Sequence, residues 1–227
     1  MGLRRMTIVA AAALAGLGIS AAGASAARVA NGDFERGNLS GWQKDFSEAG
    51  GWFVYDGPFG PLRGPAPLVP APPQGEFGAI SAQGEPSRMI LSQVVDLQSG
   101  KKHKLKFKLA YDNRNTGAPR DRLRRGISSG FFTPKSFRFG MAARPNQQFR
   151  MDVMKPGAPI KSLKNKHVLD RVYRTDRGDP NRRNFRTIKA DLTDFAGDRV
   201  RLRFAVVVTE AELNVGIDAV KIKTKND

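Results

Sequence analysis

The sequence holds two histidines, His103 and His167, and no cysteine. His103 stands in Lys101-Lys102-His103-Lys104, which reads as an exposed basic run, and His167 follows the polar Lys164-Asn165-Lys166. Neither has zinc-ligand or triad spacing. Two carboxylates facing each other across a cleft can hydrolyse a glycoside. Asp176, Asp179, Asp191 and Asp194 are near one another, but Asp179-Pro180 and Asp191-Leu192-Thr193-Asp194 read as turn and capping chemistry. No catalytic residue is assigned on these grounds. Binding chemistry has more material. Arg120, Arg122, Arg124, Arg125, Lys135, Arg138, Arg144 and Arg150 crowd a stretch whose one acid is Asp121, with Phe131, Phe132, Phe137, Phe139 and Phe149 interleaved. Lys104, Lys106 and Lys108 line one strand face, and Arg201 and Arg203 line another. Trp52, Phe53 and Tyr55 precede a Pro-rich stretch, and Phe59, Phe77, Tyr111, Phe131 and Phe132 adjoin loops. Such rings offer stacking faces where exposed and ordinary packing where buried.

The formal net charge is +17. A charge of this size attracts and concentrates polyanions. In a cytoplasmic protein the pattern would read as nucleic-acid binding. The N-terminus redirects it. Residues 1–26 have a positive start at Arg4-Arg5, an Ala-rich apolar run from Thr7 to Ala22 and a small-residue site at Ala24-Ser25-Ala26. This is the layout of a cleaved secretory signal helix, and the run is too weak and short for a membrane span. Secretion, with cell-wall association as one form of it, points the charge toward acidic polysaccharide, wall polyanions or an anionic membrane surface. The competing reading is a generally solubilising basic face. No second apolar span follows, so no transmembrane segment is expected in residues 27–227. A secreted chain without disulfides depends on core burial or on metal.

The elements that must position these residues read as strands. Lys104 to Leu109 alternates strictly, as does Arg199 to Phe204 before the apolar Ala205 to Val208. Phe149, Met151 and Val153 make a third stripe, Ser92 to Leu97 ends at the turn signal Ser99-Gly100, and Leu213 to Ile222 closes the series. Short strands with turn signals between them indicate a sandwich or barrel. The spacing predicts one all-β domain over residues 27–227. Two long loops interrupt it, a Pro/Gly-rich one at about 57–75 and a basic one at about 112–148.

Three segments, in order, carry a resemblance. They are Val29-Ala30-Asn31-Gly32-Asp33-Phe34-Glu35 with Asn38-Leu39-Ser40-Gly41-Trp42, then Ala190 to Phe204, then Asn214-Val215-Gly216-Ile217-Asp218-Ala219-Val220-Lys221-Ile222. The chain resembles the galactose-binding-like jelly-roll domains, the fold of many carbohydrate-binding modules. That resemblance implies a jelly-roll β-sandwich of two antiparallel sheets with its opening and closing strands side by side. It also implies that Glu35 and Asp218 hold a structural calcium with backbone carbonyls, the alternative being two ordinary solvated acids. Finally, it implies a sugar surface, for which Trp52, Tyr55, Tyr111, Phe131 and Phe132 are the candidate contacts, while Arg124 and Arg125 of the basic stretch are the candidate contacts to an anionic polymer. The function expected is a secreted, non-catalytic binding module for carbohydrate or an anionic cell-surface polymer, with nucleic acid disfavoured by export. The rivals are a structural or interaction protein of the cell envelope without a small ligand, and a glycan-active hydrolase. Oligomeric state is not legible.

Overall fold

The computed structural model describes residues 27–47, 49–60, 69–114, 130–133, 139 and 145–226. The signal segment and most of the basic loop, with Arg124 and Arg125, lie outside the described residues. Period-two patterning yields strands β1 (Gln43–Phe46), β2 (Gly50–Tyr55), β3 (Gly78–Gln83), β4 (Ser87–Asp96) and β5 (Lys101–Asn113). After the basic loop come β6 (Gln147–Met154), β7 (Val168–Arg174), β8 (Arg182–Asp191), β9 (Arg199–Val208) and β10 (Leu213–Asn226). They pair antiparallel in two five-stranded sheets, ordered β1-β4-β9-β6-β7 and β2-β3-β10-β5-β8. The fold is an all-β jelly-roll sandwich, all-β as the stripes predict and a two-sheet jelly roll as the resemblance implies. A single 3-10 turn, Thr193–Phe195, is the helical element among the described residues, and no helix there is long and apolar enough to cross a membrane.

The core lies between the sheets. Leu105, Phe107, Leu109 and Tyr111 of β5 and Leu213, Val215 and Ile217 of β10 face Val200, Leu202, Phe204 and Val206 of β9 and Phe149, Met151 and Val153 of β6. Phe107 meets Phe204 edge-on, ring centroids 5.2 Å apart. His103 faces inward with them. It is fully buried, its Nε2 against the Gln98 carbonyl oxygen at 2.9 Å and its Nδ1 against Thr224 Oγ1 at 3.2 Å. The exposed basic run expected around it is therefore exposed only at its lysines, because alternation turns residue 103 toward the core.

The opening segment is a correction to the expected neighbouring strands. Residues 27–42 form turns and no strand. They dock on β10 through a hydrogen bond donated by Val220 N–H to the Gly32 carbonyl, 2.7 Å. A Cβ on residue 32 would overlap the Val220 carbonyl oxygen, so only glycine fits. Asn31 and Phe34 adopt positive φ, 48° and 61°. The Asn31 side chain holds that shape by donating to the Asn38 and Ser40 carbonyls, while Trp42 Nε1 donates to the Asn31 carbonyl at 3.0 Å.

The outer face of the first sheet corrects part of the expected basic surface. Arg150 and Arg203 are fully buried there. Both bind the buried Asp152 between them: Arg150 Nε to Oδ2 at 2.7 Å and Arg203 Nη2 to Oδ2 at 2.5 Å. Arg203 Nη1 also donates to the Ile160 and Ser162 carbonyls, and Phe139 covers both guanidiniums. Arg201 is half-buried and donates to the Ala158 carbonyl. An arginine fork suits such enclosed pairing, so alternation with apolar residues marks a buried polar network here and not a solvated stripe.

Candidate functional site

The outer face of the second sheet is divided along its length. At one end it is covered by Phe59 and Val69, from the two described ends of the Pro-rich stretch, whose residues 61–68 lie outside the described residues. Phe59 and Val69 pair across that loop, and the fully buried Val69 packs with Tyr55, Ile80, Ala110 and the partly buried Phe185. Gly216 makes room for this cover, since a Cβ there would come within 2.7 Å of Val69. Tyr55 is thus capped: its hydroxyl donates to the Pro70 carbonyl at 3.2 Å, and burial, then the Asp218 carboxylate, push its phenol up.

Beside this cover, β1, β2, β3 and the start of β10 border an open cavity of about 650 Å³, lined by Lys44, Phe46, Trp52, Phe53, Phe59, Gln83, Glu212 and Asn214 among others. Phe46 and Phe53 are the two large apolar side chains exposed among the described residues, at 55% and 53%. Both line this one cavity. The Phe53 ring lies back along its strand over Gly51, where a Cβ would sit 3.0 Å from the ring. Sequence reading placed the ligand contact on Trp52, one residue before Phe53, and on Tyr55, two residues after it and capped as described above. Alternation decides between Trp52 and Phe53, since Trp52 turns into the core. The polar groups are in place as well. Both polar side-chain atoms of Gln83 and the Nε1 of Trp52 are buried without a hydrogen-bond partner among the described residues. Glu212 is exposed and pairs with Arg114 Nη1 at 3.1 Å. Gln83, Glu212 and Asn214 carried no local sequence signal, because the topology alone brings them to Phe53.

The remaining candidates are dispersed. Tyr111 and Phe131 are fully buried against each other, centroids 5.3 Å apart, with Arg183 Nε donating to the Tyr111 hydroxyl. As core rings they present no face to a ligand, which corrects their assignment as contacts. Phe132 is half-buried, pairs its backbone with Gln147 and does not line the cavity. The acids named for hydrolysis serve turns: Asp179 Oδ2 accepts from Asp176 N–H, and Asp191 Oδ1 from Thr193 N–H and Oγ1–H.

Asp218 and Glu35 are held close to the docked opening segment. β10 loses its register with β5 between Asp218 and Lys221, and Ala219 there has φ 51°. Asp218 is fully buried; its Oδ1 accepts from Ala219 N–H, and its Oδ2 has no hydrogen-bond partner among the described residues. Burial raises its carboxyl to about 6; the Ala219 N–H and the nearby Gln74 backbone act against the rise, and the Glu35 and Asp33 carboxylates add to it. Glu35 accepts from Glu76 N–H and Phe77 N–H, each at 3.1 Å. No group of three or more Asp, Glu, His or Cys side chains close enough to hold an ion occurs among the described residues. A cation here would therefore rest on two carboxylates and on carbonyl or water oxygens. The orphaned Asp218 oxygen with a second carboxylate close by fits a hard, oxygen-seeking ion such as calcium.

No protein-family model matches the sequence, and no curated protein matches it. Similarity appears at the level of solved structures. TmCBM61 in complex with β-1,4-galactotriose is 14% identical, with TM-score 0.49, covering 86% of this chain and 96% of that one. The K1 cleaved adhesin domain of Lys-gingipain from Porphyromonas gingivalis W83 is 11% identical, with TM-score 0.47 and coverage of 86% and 96%. A Stig cyclase, Fisc from Fischerella sp. TAU, is 14% identical, with TM-score 0.42 and coverage of 88% and 98%.

Proposed function

We propose that this is a secreted, non-catalytic binding module that takes a carbohydrate in the cavity between Phe46 and Phe53. One observation carries the reading: the two exposed large apolar rings line the same cavity. An exposed apolar patch rimmed by polar groups and set in a concavity is the usual form of a ligand site. Each ring supplies a flat apolar face for a sugar's C–H surface. Asn214 and the exposed Glu212 of the lining supply a donor and acceptors that read hydroxyl groups. The signal-like residues 1–26 support export. Glu35 and Asp218 hold a structural calcium in this reading. Its chemistry would be charge neutralisation at a buried carboxylate, fastening the opening segment to β10.

A panel of neutral glycans at physiological salt tests the site. The protein should bind at least one of them, and Phe53→Ala or Phe46→Ala should each weaken that binding about tenfold, roughly 1.4 kcal/mol. Melting temperature should barely change, because both rings are already exposed. Binding undiminished in the Phe46→Ala/Phe53→Ala double variant would show that the cavity is not the sugar site.

A further inference from the structure

Beyond the Pro-rich cover, the other end of the second sheet's outer face is bare and basic. Cross-strand register sets its charges side by side. Lys189 of β8, Lys106 of β5 and Lys221 of β10 form one row, since Lys106 is directly opposite both of the others. Lys223 lies opposite Lys104 in the next row, where Asp191 stands on the other side of Lys104 with its carboxylate engaged by Thr193. Lys108 follows on the same face of β5, between Thr187 and the buried Asp218. Like charges directly opposite one another destabilise a sheet. Among the described residues, none of these lysines makes a hydrogen bond or ion pair that offsets the repulsion. Lys106 shows the strain: Lys223 first, then desolvation, Lys189, Lys104 and Lys221 hold its ammonium below the ordinary lysine value.

The spacing is that of a sheet. Neighbours in a row are about 4.8 Å apart between strands, and neighbours along a strand are about 6.7 Å apart. Such a lattice matches closely spaced negative charges on an extended chain laid over a flat face. A shallow hollow of about 270 Å³ among Lys106, Lys108, Lys189, Lys221 and Lys223, walled by Gln74, gives that chain a seat. The array presents no exposed large apolar side chain; Phe46 and Phe53 lie on β1 and on β2, and β2 is the opposite edge of the sheet from β8. Single-stranded nucleic acid would need a stacking ring and a membrane surface an apolar anchor, so both fit poorly.

We infer that this lysine face is a second binding surface, separate from the cavity, for an acidic polysaccharide bearing carboxylates or sulfates. The inference does not depend on the sugar cavity, and Phe53→Ala separates the two.

The test uses the full chain with four immobilised probes: polygalacturonate, dextran sulfate, unmodified dextran and duplex DNA. Binding to polygalacturonate or dextran sulfate, weakening with salt, is expected at low ionic strength. Comparison of those two arms tells carboxylate from sulfate. The variant Lys106→Gln/Lys189→Gln/Lys221→Gln should lose about tenfold or more in affinity for the acidic glycan. Phe53→Ala should lose none. The same lysine variant should melt higher than the parent without polymer, and polymer should raise the parent's melting temperature more than the variant's. Unchanged polyanion affinity in the lysine variant would transfer the binding to the arginine-rich loop and overturn the inference. Tighter binding to DNA than to either acidic glycan would overturn it as well.

Discussion

Asp218 is fully buried, has one unpartnered carboxylate oxygen and stands near Glu35 and Asp33. The position makes opposite demands with and without a cation. Without one, burial pushes the carboxyl up to about 6 in the folded protein, against an ordinary aspartate value of 3.8. The folded state then holds the proton more tightly than the unfolded chain, so this group's contribution to stability grows as pH falls from about 6 toward 3.8 and is lost above 6. In chelator, the melting temperature at about pH 5 relative to pH 7 should exceed the same difference in Asp218→Asn. Calcium at pH 7 should raise the parent's melting temperature and leave Asp218→Asn unmoved. A parent indifferent to calcium would leave Glu35 and Asp218 as ordinary acids.

At the scale of elements, the first sheet's outer face turns on Asp152 between Arg150 and Arg203. Removing one member of a buried ion pair strands the others' charge in an enclosed site. Asp152→Ala should therefore cost roughly 3–5 kcal/mol in chemical denaturation, far more than an exposed pair such as Arg199–Asp96. A loss below about 1 kcal/mol would mean that water reaches the cluster. This network also marks where the sequence stops being legible. Strict alternation revealed β5, β6 and β9, because each carries an inward run of at least three alternating apolar residues. The strands β1 and β8 were hidden, since both are edge strands with mostly exposed or half-buried positions. Burial of Arg150 and Arg203 was hidden for a different reason: the residues that cover them, Phe139 and residues 158–163, are remote in sequence from at least one partner. The site was half legible. Trp52-Phe53-Val54-Tyr55 was recognised as the aromatic segment, but which ring faces outward depends on strand phase, and one residue of phase exchanges core for surface.

For the molecule as a whole, a sandwich without disulfides carries a net charge of +17. Export with cleavage would remove Arg4 and Arg5 and leave the excess nearly intact. Exposed ion pairs do little to offset it, since each such pair contributes about 0–1 kcal/mol. Self-repulsion in the compact state should then be a net cost that screening relieves. Raising sodium chloride from about 0.01 M to 0.15 M shortens the screening length from about 30 Å to about 8 Å. That change reaches the lysine rows but hardly touches the enclosed Arg150–Asp152–Arg203 cluster. Melting temperature should rise across this range, and the rise should be smaller in Lys106→Gln/Lys189→Gln/Lys221→Gln. A melting temperature that falls with salt would mean that favourable surface pairing outweighs repulsion, and the lysine rows would then need no counter-charge to be tolerated.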